Sequence, residues 1–395
     1  MIPYHLENGN ILYSTQVQSS EWIETITNPR TVKGLWAYAP MLPVSPEYVI
    51  SMGEGATPLV AAPRLSEAYG AAKLWIKNEG LNPTGTFKDR CHSIAISRAV
   101  ESGAKGVILG SAGNASAAAA AYAARAGLAC IVFLPAHTAE TRMAQTLQYG
   151  AHVIKIKGSV NDCVDMITCV REKYPLENVT TAICMNPWQG EGCKTIAYEI
   201  AWQLGFEAPD WIICPIGGGG ILYGIYTGFR DMFELGLIKS LPRMAGIQAA
   251  GCAAISKAFR ENRRPDQIET FPAFETLAVA IADPYPLDGK EALGAIYATK
   301  GYADSVTDEE IMLAQKDLSS QEGIFAEPAS SVTVAALRKL LAQNVISQSE
   351  SVVCIVTGNG LKDLPSASML MPKPPVLEPD RSLVLGEIEK FFAGH

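Results

Sequence analysis

Two stretches of this sequence combine residue types that suit covalent and phosphate chemistry. The first is Asn82-Pro83-Thr84-Gly85-Thr86-Phe87-Lys88-Asp89-Arg90. Pro83 and Gly85 shape a turn, Thr84 or Thr86 can cap a helix, and Lys88 then falls in that helix's first turn. The positive end of a helix dipole disfavours an ammonium ion there, and the neutral amine it favours is the form that attacks an aldehyde. The plainer alternative is a surface lysine paired with Asp89 or another carboxylate. The second stretch is Cys214-Pro215-Ile216-Gly217-Gly218-Gly219-Gly220-Ile221-Leu222. Successive glycines let backbone N–H groups converge on one concave nest, and a following helix adds its dipole, so a phosphate can be held without an arginine. Leu222 stands where a G-x-G-x-x-G pattern would need its third glycine, and no Walker lysine follows. The pattern therefore favours a compact monophosphate over a nucleotide. A flexible turn is the other reading, although four glycines in a row cost backbone entropy without returning packing.

Two further loops share this setting. Gly110-Ser111-Ala112-Gly113-Asn114-Ala115-Ser116 follows an apolar run, and Asn114 can either cap the next helix or face a ligand oxygen. Thr357-Gly358-Asn359-Gly360 presents a hydroxyl at the end of another apolar run, where a ring nitrogen could be met; a simple turn is the alternative.

These loops need a scaffold that gathers strand ends. From about Lys73 onward, short β-rich runs alternate with longer helical patterns, which predicts an α/β protein with parallel strands and crossover helices. The predicted strands cover 74–77, 106–109, 130–134, 152–156, 211–214, 244–247 and 352–356. In open parallel sheets, ligands collect at the carboxyl ends of strands, where all four loops begin. The first fifty residues are less periodic, and the residues after Met371 open with a proline cluster and end in a short amphipathic stretch. The alanine run at 117–121 has the composition of a tightly packed helix face.

Composition bounds the function. With 395 residues, 48% of them hydrophobic, the chain can bury a large core in two or three domains. A net charge of −8 implies no basic face for a nucleic acid or an anionic membrane, so any anion must be bound locally. The apolar region 115–134 is broken by Arg125 and reads as a packed helix and a buried strand rather than a membrane span. The start, Met1 to Glu7, lacks the pattern of a secretion signal, so the expected compartment is the cytoplasm. Nine cysteines lie singly, with neither a CxxC pair nor ligand clusters at zinc-like spacing, which suits a reduced compartment and argues against a metal site.

The four loops, preceded by Gly53-Glu54-Gly55-Ala56-Thr57-Pro58-Leu59, resemble the tryptophan-synthase-β fold type of pyridoxal-phosphate enzymes, and threonine synthases in particular. The resemblance runs over residues 34–363 and includes Gly34-Leu35-Trp36, Tyr38, Leu42-Pro43 and Gly192-x-Lys194-Thr195-Ile196-Ala197. It implies two three-layer domains with open, mostly parallel sheets. The large cofactor domain would comprise 1–88 and 188–395, and the small, mobile substrate domain 89–187. It implies pyridoxal 5′-phosphate joined through Lys88, which afterwards shuttles protons. Asn114 would meet the cofactor's phenolic oxygen, Gly217, Gly218, Gly219 and Gly220 its phosphate, and Thr357 its ring nitrogen. A hydroxyl partner does not enforce a protonated ring, which favours elimination. Ser111, Gly113 and Ser116 would lie near the substrate carboxylate, with Arg142 and Asn186 as further substrate contacts, and two copies would form a homodimer.

The departures are specific. Threonine synthases usually carry Ser-Thr-Gly-Asn-Thr-Ser where this chain has Ser111-Ala112-Gly113-Asn114-Ala115-Ser116. Their Asn-Ser-x-Asn-Pro-x-Arg appears here as Ile183-Cys184-Met185-Asn186-Pro187-Trp188-Gln189, so the serine and arginine that help hold the phosphate of phosphohomoserine are replaced by Cys184 and Gln189. Arg142 or Lys194 could supply a replacement charge. Threonine formation from phosphohomoserine is the nearest named activity. Replacement on phosphoserine in the manner of cysteate synthase, dehydration of serine or threonine, and ammonia loss from diaminopropionate stand beside it, as does a non-catalytic metabolite sensor.

Overall fold

The computed structural model describes residues 4–7, 10–13, 19–28, 34–111, 113–158, 160–272, 274–369, 371 and 373–393. Met1, Ile2 and Pro3 of the chain start, and Ala112 of the Ser111–Ser116 loop, lie outside them.

Twelve strands form among the described residues: β1 (Tyr4–Glu7), β2 (Asn10–Tyr13), β3 (Leu59–Ala61), β4 (Lys73–Asn78), β5 (Gly106–Gly110), β6 (Ala129–Pro135), β7 (His152–Ile156), β8 (Leu176–Asn178), β9 (Trp211–Pro215), β10 (Arg243–Ala249), β11 (Tyr302–Val306) and β12 (Ser351–Val356). β1 and β2 make a separate hairpin. The other ten build two sheets. One has the order β11-β10-β9-β12-β4-β3, parallel except for β3; the other has the order β7-β6-β5-β8 and is parallel throughout.

The apolar runs are strands because both of their faces are covered. Ile212 and Cys214 of β9 and Val353 and Ile355 of β12 pack with helices Trp188–Gln203, Gly220–Glu234 and Gly289–Ala298. The intervening Trp211, Ile213, Val352 and Cys354 pack on the other side with Asp308–Glu322 and Pro328–Ala342. The period of two thus feeds two cores, giving three layers. The smaller sheet repeats this: Val107, Leu109, Val132 and Leu134 meet Ala119, Ala120 and Ala121 of the alanine run, and Ile108 and Phe133 meet Cys163 and Ile167. Fully burying each such Ile or Leu contributes about 1.5–3 kcal/mol.

All seven strands expected from sequence are present, and β1, β2, β3, β8 and β11 are additional. β11 reads Tyr-Ala-Asp-Ser-Val, and its polarity hides it: Asp304 is buried against Lys339 at 2.8 Å, a partner supplied only by the tertiary fold. The C-terminal amphipathic stretch is a helix, Arg381–Ala393, with no buried residue. Among the described residues, no helix is long and apolar enough to cross a membrane.

The strand order fixes where chemistry can happen. The chain moves outward through β9, β10 and β11 and then returns to insert β12 between β9 and β4. The carboxyl ends of β4, β12 and β9 are therefore neighbours at a topological switch point. From them issue the Lys88 loop, Thr357 and the glycine quartet.

Candidate active site

Lys88 opens a helix, Lys88–Glu101, and its own N–H reaches the hydroxyl of Thr86 at 3.3 Å. The preceding turn is held by Asp89, not by a cap on the helix: its buried carboxylate accepts the N–H of Thr84 at 2.9 Å and the Thr84 hydroxyl at 2.8 Å. Asp89 is thereby committed to the turn. Burial raises its carboxyl to about 7, although the two Thr84 bonds favour the ion. The Lys88 ammonium lies 4.7 Å from the centre of the Phe87 ring.

The same turn is stitched to the end of β12. Phe87 donates its N–H to the carbonyl of Thr357 at 2.9 Å, and Asn359 donates to the carbonyl of Gly85 at 2.9 Å. Thr357 is buried, and its hydroxyl is 2.8 Å from that of Ser330, which also accepts the N–H of Gly358 at 2.8 Å.

Behind Lys88 the helix is fixed by a buried ionic cluster. Arg90 binds Glu79 at 2.6 and 2.8 Å and Glu199 at 2.7 Å through each terminal nitrogen, and Lys77 binds Glu199 at 2.7 Å. The Gly53–Leu59 element belongs to this framework. Thr57 donates to Glu79 at 2.6 Å, and Glu54 accepts from Trp36 at 2.8 Å and from Tyr122 at 2.8 Å. Burial opposes ionisation of Glu199, but Arg90 and Lys77 overcome it and hold the carboxyl down at about 2.

The glycine quartet turns from β9 into the helix Gly220–Glu234. Gly219 has φ 106°, and a Cβ there would lie 2.7 Å from the carbonyl oxygen of Asp288 and 2.8 Å from the Cβ of Ala292. Only glycine fits, and the loop lays bare backbone at a helix N-terminus. An amine at Lys88, a hydroxyl at Thr357 and this cradle match a cofactor that carries an aldehyde, a ring nitrogen and a phosphate.

The remaining expected residues divide. Asn114, which begins the helix Asn114–Ala126, donates its amide to both carboxylate oxygens of Glu327 at 3.0 and 3.1 Å. Asn114, Arg142, Gln145, Glu327, Lys362 and Asp363 line a cleft of about 180 Å³, whose walls also include Gly113. Arg142 stands against Gly113: a Cβ there would lie 2.9 Å from its guanidinium. Ser116, by contrast, is buried in the framework, accepting from the Gly113 N–H at 3.1 Å and touching the Thr146 hydroxyl at 3.0 Å. Asn186 donates to the Asn178 carbonyl at 2.9 Å and accepts from the Trp188 N–H at 3.1 Å, so its side chain braces the start of the helix Trp188–Gln203. Ser111 donates its N–H to the Phe133 carbonyl at 3.0 Å. Lys194 is buried against Glu191 at 2.9 Å and Asp231 at 3.2 Å, which occupies its charge. Gln189 is also buried, and donates to the Val179 carbonyl at 3.0 Å.

Sequence reasoning missed Glu327 and Ser330. The run Glu327-Pro328 at the start of the helix Pro328–Ala342 was a legible helix-start signal, but nothing in it announced proximity to Asn114 and Thr357.

The chain is similar to known proteins over most of its length. The family described as pyridoxal-phosphate dependent enzyme matches residues 50–358. A threonine synthase of Methanocaldococcus jannaschii is 44% identical over 356 residues, covering 89% of this chain and 86% of the relative. Those of Methanosarcina acetivorans and Halalkalibacterium halodurans are 45% and 41% identical, covering 87% and 90% of this chain and 84% and 97% of the relatives. Among solved structures, the processed form of threonine deaminase isoform 2 from Solanum lycopersicum has a TM-score of 0.69 at 22% identity, covering 85% of this chain and 91% of that one. Maize serine racemase has a TM-score of 0.66 at 21% identity, covering 86% and 93%. On the family match and these identities, the chain belongs to the pyridoxal-phosphate-dependent enzymes, as a lyase of the threonine synthase type.

Proposed function

We propose that the protein carries out elimination or replacement on a small amino acid, with phosphohomoserine-to-threonine conversion as the nearest named activity and Lys88 as the residue that joins the cofactor as a Schiff base. What supports this reading is one feature of the fold: the loops bearing Lys88, Thr357 and Gly217–Gly220 leave three adjacent strand ends. When bound, pyridoxal phosphate supplies an electron sink for the charge left by α-proton removal. The chain's own residues do the rest. Lys88, once its amine is free, takes the α-proton. Gly217 to Gly220 hold the phosphate by backbone N–H groups, and Thr357, oriented by Ser330, offers its hydroxyl to the ring nitrogen. Asn114, oriented by Glu327, meets the phenolic oxygen. Ser111, Gly113 and Arg142 face the substrate carboxylate, and residues 89–187 move as the substrate domain.

A second reading rests on the segment 183–189. Cys184 is exposed, Gln189 is buried, and the Asp288 carboxylate accepts the Ile183 N–H at 2.8 Å. An uncharged amide in place of the arginine favours a leaving group other than phosphate. Candidates are those of serine or threonine dehydration and of diaminopropionate. Phosphoserine replacement and a homodimer are proposals carried by the resemblance, a cytoplasmic location is proposed from the singly placed cysteines, and a non-catalytic sensor is the alternative to an enzyme.

A substrate panel of phosphohomoserine, phosphoserine, threonine, serine and diaminopropionate, followed for phosphate, ammonia and 2-oxo acid, tests the chemistry. Phosphate release with threonine formed supports the first reading. Ammonia from an unphosphorylated substrate supports the second, and no turnover of any of them leaves the sensor. Borohydride reduction of the loaded protein followed by peptide mass analysis tests Lys88, because the reduced cofactor should be found on that residue. Size-exclusion chromatography tests the dimer.

A further inference from the structure

The glycine quartet is flanked by two carboxyl groups, an unexpected neighbourhood for a phosphate. Asp288 donates its N–H to the Gly218 carbonyl at 3.0 Å, which seats the start of the helix Gly289–Ala298 against the loop. Its carboxyl turns back over the loop. Oδ1 accepts the Ile183 N–H at 2.8 Å, and Oδ2 would lie 2.6 Å from a Cβ on Gly220. Asp283 stands on the neighbouring glycine: Oδ1 accepts the Tyr285 N–H at 3.1 Å, and Oδ2 would lie 3.0 Å from a Cβ on Gly218. Among the described residues and apart from its chain neighbours, that oxygen is the only atom a Cβ on Gly218 would meet within 4 Å.

Asp288 feels Glu291 on its own helix, Lys88 across the site, and the Cys184 thiol and N–H from the segment before the helix Trp188–Gln203. Asp283 feels Lys88 and the Cys252 thiol. Lys88 is thus the cation shared by both carboxyls. An ionised carboxylate beside a phosphate is repelled by it, whereas a carboxylic acid at the same place donates its O–H to a phosphate oxygen.

We propose that Asp288, seconded by Asp283, helps hold the cofactor phosphate in its acid form, as a hydrogen-bond donor, so that filling the cup draws a proton from solvent onto the protein. The proton goes onto a carboxylate oxygen, and no covalent bond to the phosphate forms or breaks. This deepens the assignment of Gly217–Gly220 as the phosphate cup and rests on it. Burial raises Asp288 to about 7 and Asp283 to about 6, against the hydrogen bonds from the Ile183 and Tyr285 N–H groups and the weaker pull of Lys88, so the acid forms are accessible near neutral pH. The phosphate's own charge favours them further.

The test uses the full-length chain freed of cofactor and titrated calorimetrically with sulfate. Sulfate is a dianion that itself takes up no proton near neutral pH, so any proton uptake belongs to the protein. Paired buffers of different ionisation heat count the protons, and competition with pyridoxal phosphate shows that sulfate occupies the cup. We expect sulfate affinity to fall about tenfold per pH unit above pH 7, with uptake of about one proton per site. Asp288→Asn keeps an acceptor for Ile183 and a donor for the anion at every pH. Its profile should be flat, with affinity at pH 9 at least tenfold above that of the unchanged protein. Asp283→Asn should give a smaller change of the same sign. A flat profile without proton uptake in the unchanged protein, or an Asp288→Asn profile as steep as the original, overturns the proposal and leaves the cup standing. If sulfate binds but does not compete with the cofactor, or does not bind at all, the cup assignment falls and the role of Asp288 falls with it.

Discussion

The backbone N–H of Phe87 donates to the carbonyl of Thr357 at 2.9 Å. One hydrogen bond therefore ties the residue before Lys88 to the residue that follows β12. Ser330 completes the arrangement, because its hydroxyl touches that of Thr357 and accepts the N–H of Gly358, all in buried surroundings. Ser330→Ala would leave the Gly358 N–H without its acceptor. The expected loss is about 1–3 kcal/mol of stability in urea unfolding. Ser330→Thr, which keeps the hydroxyl, should recover most of it. Equal stability of the alanine and serine forms would show that this bond does not hold the turn.

Gly219 tests the cradle. Its φ of 106° is costly for any side chain, and an added Cβ meets the backbone oxygen of Asp288. Gly219→Ala should destabilise the chain by about 1–3 kcal/mol and lower cofactor affinity at least tenfold, read from the cofactor retained after dialysis. Gly236 has φ 72° and, among the described residues beyond its chain neighbours, nothing within 4 Å of an added Cβ, so Gly236→Ala is the control for backbone strain alone, and it should retain cofactor fully. Equal retention by both variants would mean that the loop does not hold the phosphate.

The legible parts of this protein were those written in local pattern. Runs such as Trp211–Cys214 and Val352–Val356 announce strands because both faces are buried, and the glycine quartet announces itself because few structures need four in a row. Asp304 of β11 was illegible because its acceptability depends on Lys339, thirty-odd residues away. The same holds at the site. Glu327, Asp283 and Asp288 gain their meaning from Asn114, Gly218 and Gly220, and no spacing within one segment encodes those meetings. Ser116 and Asn186 show the converse, since a polar side chain in a loop that holds a glycine or proline reads alike whether it braces a helix or faces a ligand.

Arg90 carries the framework beneath Lys88. Removing its charge while keeping its bulk, as in Arg90→Met, leaves Glu79 and Glu199 buried without their main counter-ion. The expected cost is about 3–5 kcal/mol, and Arg90→Lys should recover only part of it because an ammonium cannot engage both carboxylates as a fork. The acid limb carries the sign. Glu199 is held at about 2 in the folded chain against an ordinary 4.5, so its contribution is fully present above pH 4.5 and is lost as pH falls toward 2. Urea unfolding at pH 7 and pH 3.5 should show a steep loss in the parent. In Arg90→Met that particular loss should be smaller, since Glu199 then keeps Lys77 alone as its counter-ion.

His92 lies one helical turn beyond Lys88, fully buried, and among the described residues neither ring nitrogen has a hydrogen-bond partner. Burial, with a smaller push from Lys88, lowers it to about 3, so it is neutral in the folded chain and charges only on unfolding near pH 5. The sign follows from that difference. Stability is fully present above the ordinary histidine value of 6.5 and is lost as pH falls from there through about 3. His92→Met fills similar space without a titrating group. At pH 7.5 it should be as stable as the parent or more so, by about 1–3 kcal/mol, because an unsatisfied polar pair is gone. At pH 5 the gap should widen by about 2 kcal/mol, since the parent alone now favours its protonated unfolded state. If His92→Met instead unfolds more easily at both pH values, the imidazole is engaged by a partner such as a buried water, and the neutral, unpartnered description of this residue fails.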